Sequence, residues 1–161
     1  AYDDLRVFEG NAEVRHAREM RHAVPSTMNE RGARWRTEGG RKVSTDWAVP
    51  YHRLAEAITA ARAIARKCGV EPVIYGHAGN GHPHQNFIAH DAAELHRIEQ
   101  LVQETLRQVL AMGGTVAAEH GIGKIKRRWL PMQASELQLR VMRALKRELD
   151  PLGLLAPGNV L

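Results

Sequence analysis

Three histidines stand close together in residues 76–87, GHAGNGHPHQNF, beside glycines that leave the backbone free to turn. His77 follows the apolar run PVIY and His84 precedes the run FIA, so a hairpin between two strands would bring both imidazoles to one end of a sheet. Imidazole nitrogens are common ligands of divalent metal ions. The spacing H-x6-H also fits hydrogen-bonded histidines of an ordinary hairpin, and spacing alone leaves both interpretations open.

A second segment with metal-binding chemistry, AAEHGIG at residues 117–123, offers Glu119 and His120 among small residues. A carboxylate is a hard ligand that complements two imidazoles, and the glycines at 121 and 123 permit a close approach of the backbone. Glu119 is therefore the predicted third ligand beside His77 and His84. Two histidines and one carboxylate leave coordination positions open for a substrate.

The elements that must position these residues follow from hydrophobic periodicity, which predicts four helices. They cover residues 13–29, residues 51–67, a segment that starts at Asp91 and ends before Gly113, and a segment that starts at Ser135 and ends before Pro151. Asp91 with Glu94, and Ser135 with Gln138, have the spacing of helix N-terminal caps. Pro25 is expected to interrupt the first helix, whose ends are the least defined.

Short apolar runs between these helices predict strands. PVIYGH and HQNFIAH form a pair joined through the glycine-rich connection, and GTVAAEHGIG is expected to form another short strand that runs into a loop. The order helix, strand, strand, helix, strand, helix is typical of an α+β fold, here a mainly antiparallel sheet with helices packed on one face. No repeat or linker divides the sequence, so residues 1–161 are interpreted as one domain.

Composition narrows the class of protein. The chain has 161 residues, 43% hydrophobic and 25% charged, which is enough to build a buried core. It contains no run of about 18 apolar residues and does not begin like a signal peptide, so a soluble, cytoplasmic protein without a transmembrane segment is expected. A single cysteine, Cys68, excludes an internal disulfide and a multi-cysteine zinc site, and it is expected to fill the core near a helix end.

The net charge of +5 raises nucleic acid as a partner. Much of the charge lies in ERGARWRTEGGRK at residues 30–42 and in KIKRR at residues 124–128, and such runs usually form solvated faces. Small anionic substrates attract the same charge. Because the chain has no helix-turn-helix, zinc-finger or aromatic RNA-binding pattern, no nucleic-acid partner is expected.

Several motifs taken together resemble one known family. GHAGNGHPH, the following QNF, EHGIGK and the final DPLGLLAPGNVL are similar to the C-terminal domain of FAD-linked oxidases and dehydrogenases that act on D-2-hydroxy acids. That family includes D-lactate dehydrogenases, the glycolate oxidase flavoprotein subunit and D-2-hydroxyglutarate dehydrogenase. EMRHAVPSTMNERG and KVSTDWAVPYHRLAE extend the resemblance upstream, so it covers nearly the whole chain.

The resemblance implies a role for each matching residue. His77, His84 and Glu119 match positions that bind a divalent metal, Zn²⁺ or Mn²⁺, and His120 matches the base that takes the proton of the substrate hydroxyl. Three further positions match residues that contact the carboxylate and hydroxyl of a D-2-hydroxy acid, namely Arg21, Lys42 and Asn86. These implied roles fit one reaction. The metal would acidify the hydroxyl, the histidine would accept its proton, and a flavin would accept a hydride. From the residues alone, Arg21 also fits a helix-surface charge and Asn86 a strand-edge residue.

The chain departs from the family pattern G-H-x-G-D-G-N-x-H at two positions of the hairpin. Asn80 replaces the aspartate, which removes a carboxylate that could accept a hydrogen bond near the ligands. His82 replaces the asparagine, and it is interpreted either as a spare ligand or as a surface histidine. The tail APGNVL also differs from the family, which predicts a change in packing on the flavin side.

The family places FAD in a separate N-terminal domain, and nothing in this sequence matches a dinucleotide fingerprint or a P-loop. The chain is therefore expected to supply the substrate and metal half of an active site whose flavin-binding domain is joined in cis or docks in trans. Alone it is expected to be inactive as an oxidoreductase. The alternative is a stand-alone module that binds a metal or a carboxylate, or docks on a partner, without catalysis.

Overall fold

A computed structural model describes residues 6–161, and within this range the chain forms four α-helices and three β-strands. In chain order these are α1 (Gly10–Ala33), β1 (Gly39–Ser44), α2 (Leu54–Lys67), β2 (Val73–His77), β3 (His82–Asp91), α3 (Ala92–Ala111) and α4 (Glu136–Leu149). Helices with a small sheet confirm the predicted α+β class. In the same range, no helix combines the length and apolar character needed to cross a bilayer.

The strands form one sheet in the order β1-β3-β2. β2 pairs antiparallel with β3, in a register that sets Tyr75 opposite His84 and His77 opposite His82. The predicted hairpin is therefore confirmed, and the glycine-rich connection is its turn. Beside the turn, the backbones of the two strands lie very close. A Cβ added at Gly76 of β2 would lie 2.4 Å from the carbonyl oxygen of His82. No residue but glycine fits such an approach.

The chain divides into two compact units. The first contains Ala1–Lys42 and Ile88–Leu95, and the second contains Val43–Phe87 and His96–Leu161. In the first unit, Gly32 of α1 packs so closely on Lys42 that an added Cβ would lie 2.6 Å from the Lys42 nitrogen. In the second unit, the core includes Trp47, Phe87 and the apolar stripe of α3, all of which are fully buried.

Local sequence signals explain α3 and α4. The stripe of α3 is buried as its spacing predicts, and each such side chain contributes about 1.5–3 kcal/mol; its members include Ile98, Val102, Leu106 and Val109. The Asp91 carboxylate accepts a hydrogen bond from the Glu94 N–H at 2.7 Å. α4 begins with a complete capping box, in which Ser135 and Gln138 exchange hydrogen bonds. These predicted helix starts are confirmed.

The first helix extends beyond the prediction and is not interrupted by Pro25. α1 has 24 residues and carries Pro25 inside it. Proline removes one N–H donor, yet Met28 and Gly32, which follow it at helical spacing, are both buried. We attribute the continuation of the helix past the proline to this packing.

Two further expectations are wrong, and one strand was not predicted. GTVAAEHGIG forms no strand, because Thr115 and Ala117 make only isolated bridges, to Ala48 and Asp46. The N–H groups that follow Ala117 bond instead to the side chain of Asp46. β1 was not predicted, since its sequence GGRKVS has no apolar run. Cys68 is exposed at the end of α2 rather than buried in the core.

Candidate metal centre

The hairpin gathers three imidazoles at one end of the sheet. His82 and His84 lie two residues apart on β3 and so share a face, while His77 stands opposite His82 on β2. The ring centroids of His82 and His84 are 4.5 Å apart, and those of His77 lie 5.5 Å from His82 and 5.8 Å from His84. The arrangement follows directly from the register of the two strands.

The Glu119 carboxylate lies among these imidazoles. Its Oε1 is 3.2 Å from Nε2 of His84 and 3.6 Å from Nε2 of His77. The same oxygen is 3.3 Å from Nε2 of His120, the next residue in the chain. The structure therefore brings together the three predicted metal ligands and the predicted base. Glu119 and His120 have exposed side chains, so the cluster opens to solvent on their side.

A buried carboxylate from a distant segment, Asp46, holds the loop that carries Glu119. Its oxygens accept the N–H groups of Ala118 at 3.3 Å, Glu119 at 3.4 Å and His120 at 3.0 Å. The side chain of Lys126 donates a hydrogen bond to the same carboxylate. Three backbone donors and one ammonium thus fix a glycine-flanked segment that makes no regular strand.

The electrostatics of Asp46 match this role. Burial opposes its ionisation, but the hydrogen bond from Lys126 and the backbone N–H groups of His120 and Glu119 outweigh burial and lower the pKa of Asp46 to about 2. Asp46 is consequently a carboxylate at any physiological pH. Lys126 also donates to the carbonyl oxygen of Gly121 at 2.8 Å, so the ion pair spans the loop from both sides.

His84 is prepared to act as a ligand. Its Nδ1 lies 3.4 Å from the carbonyl oxygen of Thr45, which leaves Nε2 directed at Glu119. Burial lowers the pKa of His84, and the neighbouring His82 lowers it further, against smaller opposing contributions from Thr45, Glu119 and Asp46. A lowered pKa keeps the imidazole neutral near pH 7, and the neutral imidazole is the form that binds metal ions.

The C-terminal tail reaches the same loop. The Val160 N–H donates to the carbonyl oxygen of Gly123 at 3.1 Å. Upstream, Asp150 accepts the N–H groups of Leu154 at 2.9 Å and Leu155 at 3.0 Å, which turns the chain after α4. Hydrogen bonds thus hold the segment after α4 both near Asp150 and at Val160.

The donor set fits a divalent cation. One ligand atom from each of His77, His82, His84 and Glu119 can be chosen so that all lie within 4.8 Å of one another. Imidazole nitrogens with a carboxylate oxygen suit Zn²⁺ and Mn²⁺ among the common ions. At two glycines of the hairpin, Gly76 and Gly81, protein backbone occupies the space that a side chain would take. A Cβ at Gly81 would lie 2.0 Å from the Val49 carbonyl oxygen.

Comparison with known proteins adds a family. Residues 3–160 match the family described as FAD linked oxidases, C-terminal domain. The chain belongs to this family. The resemblance drawn from the sequence motifs is therefore confirmed.

Relatives within the family have related names. A probable mitochondrial D-lactate dehydrogenase of Danio rerio is 37% identical over 125 residues, which is 76% of this chain and 25% of that protein. The glycolate oxidase subunit GlcD of Bacillus subtilis is 33% identical over 71% of this chain and 25% of its own length. A D-lactate dehydrogenase of Archaeoglobus fulgidus is 34% identical, with 71% and 26% covered. The chain spans about a quarter of the length of these relatives.

The residues that the FAD-linked oxidase pattern assigns to the substrate lie in both units. Arg21 is on the exposed surface of α1, and Lys42 on β1 donates a hydrogen bond from Nζ to Oδ1 of Asn29 at 2.9 Å, both in the first unit. Asn86 belongs to the second unit and shares the β3 face of His84. It is fully buried, its Nδ2 donates to the His84 carbonyl oxygen at 3.1 Å, and its Oδ1 has no hydrogen-bond partner among residues 6–161.

Sequence reasoning missed the support of the site. Asp46 and Lys126 received no role, and the KIKRR run was interpreted as a solvated face, whereas Lys126 is buried beside Asp46. The one signal in the sequence for this support was Asp46 itself, a lone acidic residue before the apolar segment WAVP. His82 is also no surface histidine, because only 4% of it is exposed.

Proposed function

We propose that this chain supplies the metal- and substrate-binding half of a flavin-dependent oxidoreductase that converts a D-2-hydroxy acid into the 2-oxo acid. The observation that carries the proposal is the convergence of His77, His84 and Glu119 beside His120 in a member of the FAD-linked oxidase family. D-Lactate and glycolate, which appear in the names of relatives, are the first substrates to test.

His77, His84 and Glu119 would hold a divalent ion. Such an ion would supply Lewis acidity, which would make the 2-hydroxyl of the substrate more acidic. The chain contributes two imidazoles and one carboxylate, which leave positions for substrate oxygens. Because Asp46 fixes the backbone at Glu119, little rearrangement of this loop is needed on binding.

His120 would accept the proton of the 2-hydroxyl at Nε2. Its side chain is largely exposed, so a substrate can reach it, while its backbone N–H is held by Asp46. As the O–H bond breaks, the C2–H bond also breaks and a carbonyl forms at C2. A flavin, when present, accepts the hydride with its two electrons. The proton stays on His120 until solvent removes it.

Arg21, Lys42 and Asn86 are proposed to bind the substrate, by the match of their positions to the family pattern. A guanidinium suits the planar carboxylate, and an ammonium or amide suits the hydroxyl. The unpartnered Oδ1 of Asn86 supports a polar role for this buried residue. The assignment is tested by Kd measurements for D-lactate in Arg21→Ala and Asn86→Ala variants.

A flavin-binding part, joined in cis or docking in trans, is the proposed partner. α4 presents a stripe of exposed apolar side chains beside a groove lined by Leu130, Ala134 and Met142. The stripe consists of Leu137, Val141, Leu145 and Leu149, whose exposed fractions run from 50% to 77%. Because the chain spans a quarter of its relatives' length, we assign the flavin-binding part as the occupant of this face.

The cytoplasm is the proposed compartment, since a single thiol is typical of proteins from a reducing environment. One relative in Danio rerio carries the word mitochondrial in its name. Imaging of the tagged protein in its own cells would decide between the two compartments. Retention in a membrane-bounded organelle would contradict the cytoplasm.

The experiment that tests the metal site is calorimetry. The chain is expected to bind about one equivalent of Zn²⁺ or Mn²⁺ at neutral pH, and His84→Ala is expected to weaken binding at least about 10-fold. The preparation should lack flavin absorbance and should not oxidise D-lactate by itself. No heat of binding with either ion would contradict the site. Metal binding without activity, even when a flavin-binding part is present, would favour the non-catalytic module.

A further inference from the structure

We infer that His82 is a fourth protein ligand to the metal of the Glu119 cluster and binds it through Nδ1. The inference rests on the proposed metal function of this cluster and extends it. The family pattern has asparagine at this position, so the ligand belongs to this chain's own sequence. It would make the donor set three imidazoles and one carboxylate, so substrate oxygens would bind by raising the coordination number of the ion above four, as catalytic zinc sites can.

The placement of His82 supports the inference. Its Nδ1 lies 3.9 Å from Oε2 of Glu119, and its ring is the nearest neighbour of the His84 ring. Four donors at about 2.0–2.1 Å from one tetrahedral ion stand about 3.3 Å apart. Oε1 of Glu119 lies 3.2 Å from Nε2 of His84 and 3.6 Å from Nε2 of His77, Oε2 lies 3.9 Å from Nδ1 of His82, and one donor atom from each of the four residues can be chosen so that all lie within 4.8 Å of one another. Small side-chain rotations would therefore bring all four donors onto one ion.

The hydrogen bond of His82 selects the nitrogen that is free to bind. Its Nε2 lies 2.8 Å from Oδ1 of Asp46. Asp46 already accepts N–H groups from Lys126 and from the backbone, so it acts as an acceptor, and the imidazole proton belongs on Nε2. The lone pair is then on Nδ1, which faces Glu119. Metal-binding histidines characteristically donate their second N–H to a carboxylate or a carbonyl.

In His84 the two ring nitrogens exchange the roles that they have in His82. Its Nδ1 faces the carbonyl oxygen of Thr45 and its Nε2 faces Glu119. Two neighbouring histidines of β3 thus each have one nitrogen supported by an acceptor and the other directed at the same carboxylate. A purely structural His82–Asp46 pair would account for the burial of His82, but it gives no reason for this shared direction.

The deciding experiment compares Zn²⁺ affinities of four forms of the 161-residue chain. His82→Asn restores the family residue and keeps an amide that can donate to Asp46. His96→Asn is the matched control, because His96 is exposed on α3 and pairs there with Gln100 at 3.0 Å. His84→Ala reports on the proposed three-ligand site. His82→Asn is expected to weaken Zn²⁺ binding by about 10- to 100-fold, and His96→Asn to leave it unchanged.

Imidazole ¹⁵N spectra of the unmodified chain give a second readout that does not depend on how the variant folds. Zn²⁺ is expected to shift the Nδ1 resonance of His82 while Nε2 stays protonated. Unchanged His82 nitrogens, or a His82→Asn variant that binds as tightly as the control, would overturn the fourth ligand. If His84→Ala alone loses affinity, the proposed function stands and the fourth ligand falls. If the unmodified chain binds no Zn²⁺, both fall.

Discussion

Two regions of the second unit differ in whether their side chains have partners within the chain. Around Glu119, polar groups are supported by other parts of the chain, with Asp46 alone accepting four hydrogen bonds from the loop and Lys126. On α4, a stripe of apolar side chains remains exposed, with Leu145 at 57% and Leu149 at 77%. The cluster is therefore supported from within this chain, whereas the stripe is the face that we propose an outside partner covers.

The largest effect on this contrast is expected from removing Asp46. Asp46→Ala leaves Lys126 buried without its partner, and loss of one member of a buried ion pair costs about 3–5 kcal/mol. We expect that loss in the free energy of unfolding, measured in urea, together with weaker Zn²⁺ binding. The control, Glu104→Ala, removes an exposed ion pair with Arg107 and should cost at most about 1 kcal/mol. Equal effects of the two variants would contradict the supporting role of Asp46.

Acid sharpens the same test. The pKa of Asp46 is about 2 in the folded chain and 3.8 in the usual reference, so its contribution to stability is present above pH 3.8 and is lost as the pH falls toward 2. Asp46→Asn should reduce the slope of unfolding free energy against pH in this window. An unchanged slope would show that other carboxylates account for the acid sensitivity.

Next in size is the chemistry of the adjacent residues Glu119 and His120. In a preparation that includes the flavin-binding part, His120→Ala should lower kcat by about 10²-fold and leave metal content near normal. Glu119→Ala should reduce metal content and raise KM as well, because the ion also positions the substrate. Steady-state kinetics with D-lactate and metal analysis separate the two. A His120→Ala variant with unchanged kcat from pH 6 to 9 would move the base elsewhere.

On the other side of the comparison, Leu145→Glu on α4 should change the unfolding free energy by no more than about 0.5 kcal/mol. It should nevertheless weaken association with the flavin-binding part by about 10-fold or more, measured by titration of separately purified parts. Arg147→Glu places the same side chain on the arginine-bearing face and serves as the control. Loss of association in both variants would indicate a charge effect rather than an apolar interface.

The smallest expected effect concerns Asp150, which holds the turn after α4. Its hydrogen bond from Lys146 lowers its pKa, burial opposes this, and bonds from Leu155 and Leu154 add to the lowering. Asp150→Ala should accelerate amide hydrogen exchange at Leu154 and Leu155 several-fold while leaving Zn²⁺ affinity unchanged. Exchange that speeds up equally at Ile98 in the α3 core would instead indicate global destabilisation.

The comparison also explains how far the sequence could be interpreted. α3, α4 and the hairpin were predicted because their signals are local, such as the capping box at Ser135 and Gln138. Asp46 and Lys126 were missed because they are 80 positions apart and only the tertiary fold pairs them. The false strand has the same cause, since the N–H groups of Ala118 and Glu119 bond to Asp46, far away in the sequence. Periodicity predicted the amphipathic α4, but it cannot tell whether the chain itself covers the apolar stripe.

The bond from Val160 to Gly123 has a practical consequence for handling this protein. It attaches Val160 to the loop that carries the candidate ligand and base. A purification tag or fluorescent fusion placed after Leu161 would begin two residues beyond Val160 and would disturb the loop. A variant that lacks residues 160 and 161 would show how far the loop depends on this bond.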